Sequence, residues 1–405
     1  MVAKSIIIWP YFVHLAGTRM LTKMVIVVNT RLLLKDRLEG IGRFTYETFR
    51  RITASHPEHR FIFVFDRPFS PEFVFSDNIT PVVAGPPTRH PLLWLWWFEM
   101  TIPAVLKKYK ADVFVSPDGY LSMRTGVPQH VVMHDINFFH RPADLPRLTS
   151  KYYNYFFPRF AWKSVRMATV SEYSRQDISA NFGIQPEKID VVYNGYHPEF
   201  KPLAEDDIKA VREKYSGGHA YFLFVGALHP RKNIEGLLMA FEQFKRKTGR
   251  CEKLVVVGGQ MFKTGRISTI WSRMEAKDEV IFAGRVSDKE LRRLYGAALC
   301  LTFVPFFEGF GIPVIEAMAA EIPVICSNTT SLPEVGGEAV LYVDPDNTGM
   351  IADAMEKISR DSAFRQLLTY RGSEQKKHFS WDKSAILLWK SIEVVIDTAR
   401  KHQNK

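Results

Sequence analysis

Short apolar runs without polar alternation recur along the chain, and most are followed by a longer amphipathic stretch. No other feature limits the fold as much. The runs at residues 24–29, 60–66, 112–116, 130–133, 168–170 and 190–193 are rich in Val, Ile and Phe. Strands read this way when helices cover a parallel sheet on both faces. Between them, residues 43–54, 94–108 and 172–181 read as helices, the last entered through a serine cap at Ser171. A second series begins after Lys201-Pro202. Its strands are expected at 221–226, 254–258, 280–283, 299–304 and 323–326, and its helices at 233–248, 288–298 and 313–320. The turn-rich Asn194-Gly195-Tyr196-His197-Pro198 separates the two series. The expected architecture is α/β: two doubly wound, Rossmann-like domains of similar size facing a central cleft.

The boundaries that follow are an amino-terminal extension at 1–23, a first domain at 24–197, a second at 198–380 and a terminal helix within 381–405. Apolar Ile386, Trp389, Ile392 and Val395 require that helix to dock, and the first domain is the expected surface. Lys4 and the apolar stretch at 5–17 resemble a signal peptide, but the strand at 24–29 leaves little room for processing. With Met20 and Met24 inside the segment, an extension or an extra strand is the favoured reading.

Composition removes whole classes. The 405 residues are 46% apolar, enough for ordinary cores. Cys251, Cys300 and Cys326 have no CxxC spacing, which speaks against a disulfide framework or structural zinc and suits a reducing compartment. No run approaches the roughly 18–20 uncharged residues of a membrane span. Lys and Arg number 54 against 43 Asp and Glu, a net charge of +11. Basic chains meet nucleic acids, anionic lipids or phosphorylated small molecules. Zinc-finger spacing and an RNA-binding aromatic signature are both missing, so nucleic acid is not an expected partner.

Two segments carry the chemistry. In Pro305-Phe-Phe-Glu308-Gly-Phe310-Gly311-Ile312-Pro313-Val-Ile-Glu316, a strand runs into a glycine-rich turn, and Pro313 suits a first helical turn. Such a helix start offers unpaired N–H groups to an anion or a sugar oxygen. Glu308 and Glu316 would repel a diphosphate, so accepting from hydroxyls is their sensible role; the spacing neither demands nor excludes a glycosidase pair. In Gly226-Ala-Leu-His229-Pro230-Arg231-Lys232-Asn233, adjacent cations stand at a helix mouth, where they oppose the helix dipole unless an anion binds.

Together these segments resemble the retaining glycosyltransferases of family four (group 1), of GT-B architecture, along nearly the whole chain. Glu308 to Glu316 matches the E-x7-E signature of that family, and Arg231-Lys232-Asn233 its R-K-N element. The resemblance implies transfer of a hexosyl group from a nucleotide diphosphate sugar to an acceptor hydroxyl, mannosyltransferase-like, in cell-surface polysaccharide or glycolipid synthesis. Arg231 and Lys232 would hold the diphosphate, Glu316 the ribose, and Glu308 with the backbone of Phe310, Gly311 and Ile312 the sugar. Arg285 and Val286 would lie near the base. Gly40 and Gly42 would approach the diphosphate from the first domain, and His134 the donor sugar. Asp118 and Asp135 are acceptor-side candidates, while Arg37, Arg43 and Arg124 are candidates for an anionic or lipid-linked acceptor. Neither cofactor nor metal is expected, although Asp344-Pro345-Asp346 spells a DxD string; Asp346 is read instead as a helix cap. The location implied is cytoplasmic, with peripheral contact to an anionic membrane surface. Trp94-Leu-Trp-Trp-Phe98, followed by Lys107, Lys108 and Lys110, is read as core packing ahead of a membrane patch. A silent sugar-nucleotide-binding protein and a GT-B epimerase are the competing readings; a phosphorylase would need a longer chain and a pyridoxal lysine.

Overall fold

The computed structural model describes residues 23–35, 37–259 and 265–403. The proposed extension therefore lies, but for its last residue, outside the described residues. Two parallel sheets organise the rest. The first contains β1 (Val25–Asn29), β2 (Arg60–Phe65), β3 (Ile79–Val83), β4 (Val113–Ser116), β5 (Gln129–Val132), β6 (Arg166–Thr169) and β7 (Ile189–Val191), in the order β3-β2-β1-β4-β5-β6-β7. The second contains β8 (Tyr221–Val225), β9 (Lys253–Val257), β10 (Val280–Gly284), β11 (Cys300–Phe303), β12 (Val324–Ser327) and β13 (Leu341–Val343), in the order β10-β9-β8-β11-β12-β13. The fold is the pair of doubly wound α/β domains that the alternation implied.

The pleat explains the apolar runs. In β1, Ile26 and Val28 join one hydrophobic cluster while Val27 joins another on the opposite face. Val27 also stands opposite Ile62 of β2 and Phe114 of β4, so the strand is covered on all sides. In each sheet the strand order reverses once, between β1 and β4 and between β8 and β11. Open sheets bind ligands beyond the carboxyl ends of the strands at that reversal. The loops after β8 and β11 carry Arg231, Lys232 and Glu308, and those after β4 and β5 carry Asp118 and His134.

Several elements depart from expectation. Strand β3 contains Pro81 and sits at a sheet edge, where a missing N–H is tolerated. The helix Arg147–Lys163, with Pro158 inside it, has no counterpart among the expected elements. The expected 94–108 helix begins at Pro91 and runs as Pro91–Trp96, a π turn at Trp97–Thr101, and Ile102–Lys108. Core packing holds for part of Trp94–Phe98: Trp97 and Phe98 are buried and Trp94 is half-buried, whereas Leu95 and Trp96 are exposed. No helix among the described residues is long and apolar enough to cross a membrane.

The terminal helix Trp381–Gln403 crosses back to the first sheet. Trp389 stacks on His56 with ring centroids 3.8 Å apart, Arg51 pairs with Asp382, and His130 Nε2 lies 2.8 Å from Ser391 Oγ. The two chain crossings between domains press together at Gly195, where a Cβ would sit 2.3 Å from the Trp381 nitrogen. Only glycine fits. Replacing buried Trp389 by alanine is expected to cost about 3–5 kcal/mol, read from urea unfolding. A change under about 1 kcal/mol would show that the helix is not an integral part of the first domain.

Candidate active site

Beyond β8 the chain forms a short 3-10 turn, Pro230–Lys232, before the helix Ile234–Thr248. Asn233 takes a left-handed conformation (φ 56°) and caps that helix through Gly236 N. Its amide nitrogen donates to the carbonyls of Val304 and Pro345, pinning the turn to the neighbouring strand ends. The pinned turn aims both cations at one carboxylate. Arg231 Nη1 donates to Glu308 Oε1 at 2.8 Å and to the Phe307 carbonyl at 3.0 Å, while Lys232 Nζ donates to the same Glu308 oxygen. Lys232 and Glu308 are each only 8% exposed. Burial pushes the Lys232 ammonium down to about 8 despite Glu308. Burial alone would raise Glu308, but Arg231 and Lys232 outweigh it and hold the carboxyl below its usual range. Two cations facing one anion leave a net positive charge.

The helix Ile312–Ala319 starts from Gly311, whose φ of 103° suits glycine. Among the described residues, no acceptor pairs with the Phe310 or Gly311 amide, so the helix mouth offers free N–H groups beside Glu308. The Phe310 ring itself is buried against Tyr193 and Phe379. Glu316, one helical face further on, is buried, and burial pushes it up to about 7 against the nearby Arg43 guanidinium.

The first domain supplies the facing wall. His134 Nε2 lies 3.0 Å from the Pro117 carbonyl and its ring meets Phe44 edge-on. A carbonyl only accepts, so Nε2 carries the proton and Nδ1 keeps a lone pair. Burial lowers the His134 pKa and keeps the ring neutral. Asp118 is buried in the same wall. Its Oδ2 pairs with buried Arg31 at 2.5 Å and its Oδ1 accepts from Asn29 and Ser116, so it braces the Pro117 turn that orients His134. Asp135 accepts from the Asn137 backbone and stabilises the loop after β5. Gly40 opens onto free space, but Gly42 is set by packing: a Cβ there would lie 2.6 Å from the Leu32 carbonyl.

The two walls meet on both rims. On one, Arg285 pairs with Glu39 and Arg43 with Asp288 at 2.8 Å. The Arg285 side chain thus bridges the cleft, and Val286 packs against the core. On the other rim the Gly309 carbonyl accepts from Ser171 Oγ at 2.7 Å, and the Glu334 carboxylate caps the helix Glu172–Phe182 through the Glu172 and Tyr173 amides. Thr330 and Ser331 hold the Glu308 backbone. The sequence marks Ser171 only as a cap and gives no sign of Glu334, Thr330 or Ser331. Only the cap signature is local; the partners of Ser171 and Glu334 lie more than a hundred residues away.

The DxD string serves its own loop: Asp344 accepts from the Asp346 amide, and Asn347, not Asp346, caps the helix Thr348–Arg360. Among the described residues no three His, Cys, Asp or Glu side chains gather as metal ligands would.

Known proteins resemble the chain in both halves. A family model described as "Glycosyltransferase Family 4" matches residues 38–200, and one described as "Glycosyl transferases group 1" matches residues 206–375. O-antigen chain mannosyltransferase B of Escherichia coli is 28% identical over 361 residues, 86% of this chain and 94% of that protein. O-antigen chain mannosyltransferase RfbU of Salmonella typhimurium is 31% identical over 232 residues, 57% of this chain and 61% of that one. The solved structure of a sucrose-phosphate synthase from Thermosynechococcus elongatus superposes with a TM-score of 0.75 at 18% identity, covering 93% of this chain and all of that one.

At Gly309 the walls stand in close contact, since a Cβ there would stand 2.7 Å from the His134 carbonyl and 2.8 Å from Asp135 Cβ. Gly309→Ala is therefore expected to wedge the cleft open, raising the radius of gyration in solution scattering and lowering turnover about 10²-fold. An unchanged scattering profile with full activity would show that this contact does not set the closed geometry.

Proposed function

Because the chain belongs to the group 1 glycosyltransferases of GT-B architecture, we propose that it moves a hexosyl group, mannose by analogy with its relatives, from a nucleotide diphosphate sugar to an acceptor hydroxyl with retention of configuration. The convergence of Arg231 and Lys232 at the mouth of a helix start supports this reading most. The proposed acceptor is a sugar or lipid-linked sugar of a surface polysaccharide, reached from the cytoplasmic side of a membrane. The O-antigen assignments in the names of the relatives support that choice.

In the proposed reaction the bond from the anomeric carbon to the diphosphate oxygen breaks as the acceptor oxygen bonds to the same face. The acceptor proton passes to the departing phosphate oxygen. The barrier is charge separation, and Arg231, Lys232 and the Phe310 and Gly311 amides are prearranged to stabilise negative charge on the leaving group. That set of donors is our reason for proposing a metal-independent reaction. Glu316 accepts from the ribose, and Glu308 and the His134 Nδ1 lone pair accept from sugar hydroxyls. Closing the domains excludes water and limits donor hydrolysis.

Removing Arg231 and Lys232 together by alanine is expected to lower transfer at least about 10²–10³-fold, with a smaller loss of folding stability. Near-normal turnover would end this assignment, and binding without transfer or hydrolysis in the unaltered protein would favour a silent binder. Proton NMR of fresh product reads the anomeric outcome; inverted product would overturn retention.

The pKa shifts add a pH prediction. Glu316 accepts best when ionised, above about pH 7, and Lys232 attracts the diphosphate only when protonated, below about pH 8. Calorimetric affinity for the nucleotide diphosphate is thus expected to peak between these values and fall on both sides. Glu316→Gln should flatten the acid limb and Lys232→Arg the alkaline one. A pH-independent affinity would remove both roles.

A further inference from the structure

Helix Arg147–Lys163 carries an outer stripe that the site does not use. Leu148, Lys151, Tyr155, Arg159 and Trp162 follow one another at intervals of three or four residues, which places them on one face. All are exposed, Tyr155 at 54% and Trp162 at 62%. The helix has four basic residues and no acidic one. Arg159 lies over the Tyr155 ring, 3.6 Å from its centroid, so cation and ring are presented together.

Helix Pro91–Trp96 packs beside it, with Trp94 stacked on Tyr153 at 5.6 Å. Trp97 and Phe98 of the π turn are buried, whereas Met100 of that turn and Leu92 and Trp96 of the helix before it are exposed, Leu92 at 63% and Trp96 at 57%. The acid of that segment, Glu99, is engaged by the Met123 amide. Two adjoining helices thus present aliphatic and indole side chains among cations.

We propose that this face docks on an anionic lipid bilayer at headgroup depth. Indole and phenol rings partition to that zone, aliphatic side chains enter just below it, and Lys and Arg meet the anionic headgroups. A second copy of the chain is a poorer occupant, because a two-fold contact through the Arg147–Lys163 helix would set its four cations against four more with no acid between them. A nucleic acid would leave the aliphatic residues unmatched.

The position fits as well. Just before the helix, His140 stacks on Phe307 at 5.4 Å and Arg141 covers Phe306 at 4.9 Å, on the loop that carries Glu308. The docked face would therefore lie beside the cleft mouth. The functional meaning of that placement rests on the proposed lipid-linked acceptor; the docking itself does not.

Sedimentation with vesicles tests the two separately, using the full chain without donor or acceptor. Binding is expected to vesicles of phosphatidylethanolamine and phosphatidylglycerol, with at least tenfold less to phosphatidylcholine and a marked loss in high salt. Lys151→Glu with Lys163→Glu should weaken binding at least tenfold. Trp96→Ser with Tyr155→Ser should do so independently, and both variants should keep the unfolding midpoint and the nucleotide affinity of the parent. Equal binding to neutral and anionic vesicles would overturn the proposal. So would variants that bind like the parent, or a dimer in sedimentation velocity that binds no lipid. Loss of vesicle binding with transfer to a soluble acceptor intact would support docking, whereas docking without any transfer would count against the enzymatic reading alone.

Discussion

One carboxylate shared by two cations governs the architecture around the cleft. Glu308, Arg231 and Lys232 come from loops following two adjacent strands, and both Lys232 and Glu308 are nearly closed off from solvent. Two buried cations alone would repel each other and lose hydration; a buried carboxylate compensates part of that cost. It does not cancel their charge. The remaining positive charge, with the free amides at Phe310 and Gly311, gives a basic chain a defined place to hold an anion. In the proposed reaction a diphosphate in that place would take over the cations and leave the Glu308 oxygens free to accept from a sugar.

The loop bearing Glu308 is also the most firmly clasped part of the cleft. Ser171 bonds the Gly309 carbonyl, and Glu334 occupies a helix N-terminus, where a carboxylate gains from both the free amides and the dipole. The opposite rim has side-chain ion pairs, Arg43 with Asp288 and Arg285 with Glu39, in which Asp288, Arg285 and Glu39 are well exposed. Exposed pairs are weak, about 0–1 kcal/mol each. The side-chain contacts at the Arg285 rim are therefore weaker than the clasp at Gly309.

What a sequence discloses here follows the range of the interactions. The parallel sheets are legible because residues such as Val27 are apolar neighbours of other strands on both sides, and the cation turn because Arg231 and Lys232 oppose a helix dipole. Asp118 is not, because its partner Arg31 lies 87 residues away, and an isolated aspartate after Pro117 resembles a turn residue. Gly42 resembles a ligand-facing glycine although the Leu32 carbonyl, a loop away, excludes any side chain. The cap expected at Asp346 falls one position later, since Asn347 offers the same chemistry there. Helix Arg147–Lys163 escapes local reading because its aromatic residues and Pro158 argue against a helix. Its signals are the seven-residue spacing of Leu148, Tyr155 and Trp162 and the lack of any acid.

That helix connects the surface with the chemistry. Asn154 bonds the Phe138 carbonyl, His140 stacks on Phe307, and the Phe307 carbonyl accepts from Arg231. A second path runs inward from Tyr153 through the Tyr120 hydroxyl to Arg31, Asp118 and the turn that holds His134. The second path is largely buried, whereas the first runs through part-buried hydrogen bonds and the exposed His140 ring. At about 1.5 Å per residue, 17 helical residues extend roughly 25 Å. Under the proposed docking, a contact of that length would fix the tilt of the first domain on a membrane and leave the second free to close over the proposed donor. A lipid-linked acceptor of the proposed kind, anchored in the same plane, would then reach the cleft along a fixed wall, and only the donor side would have to move.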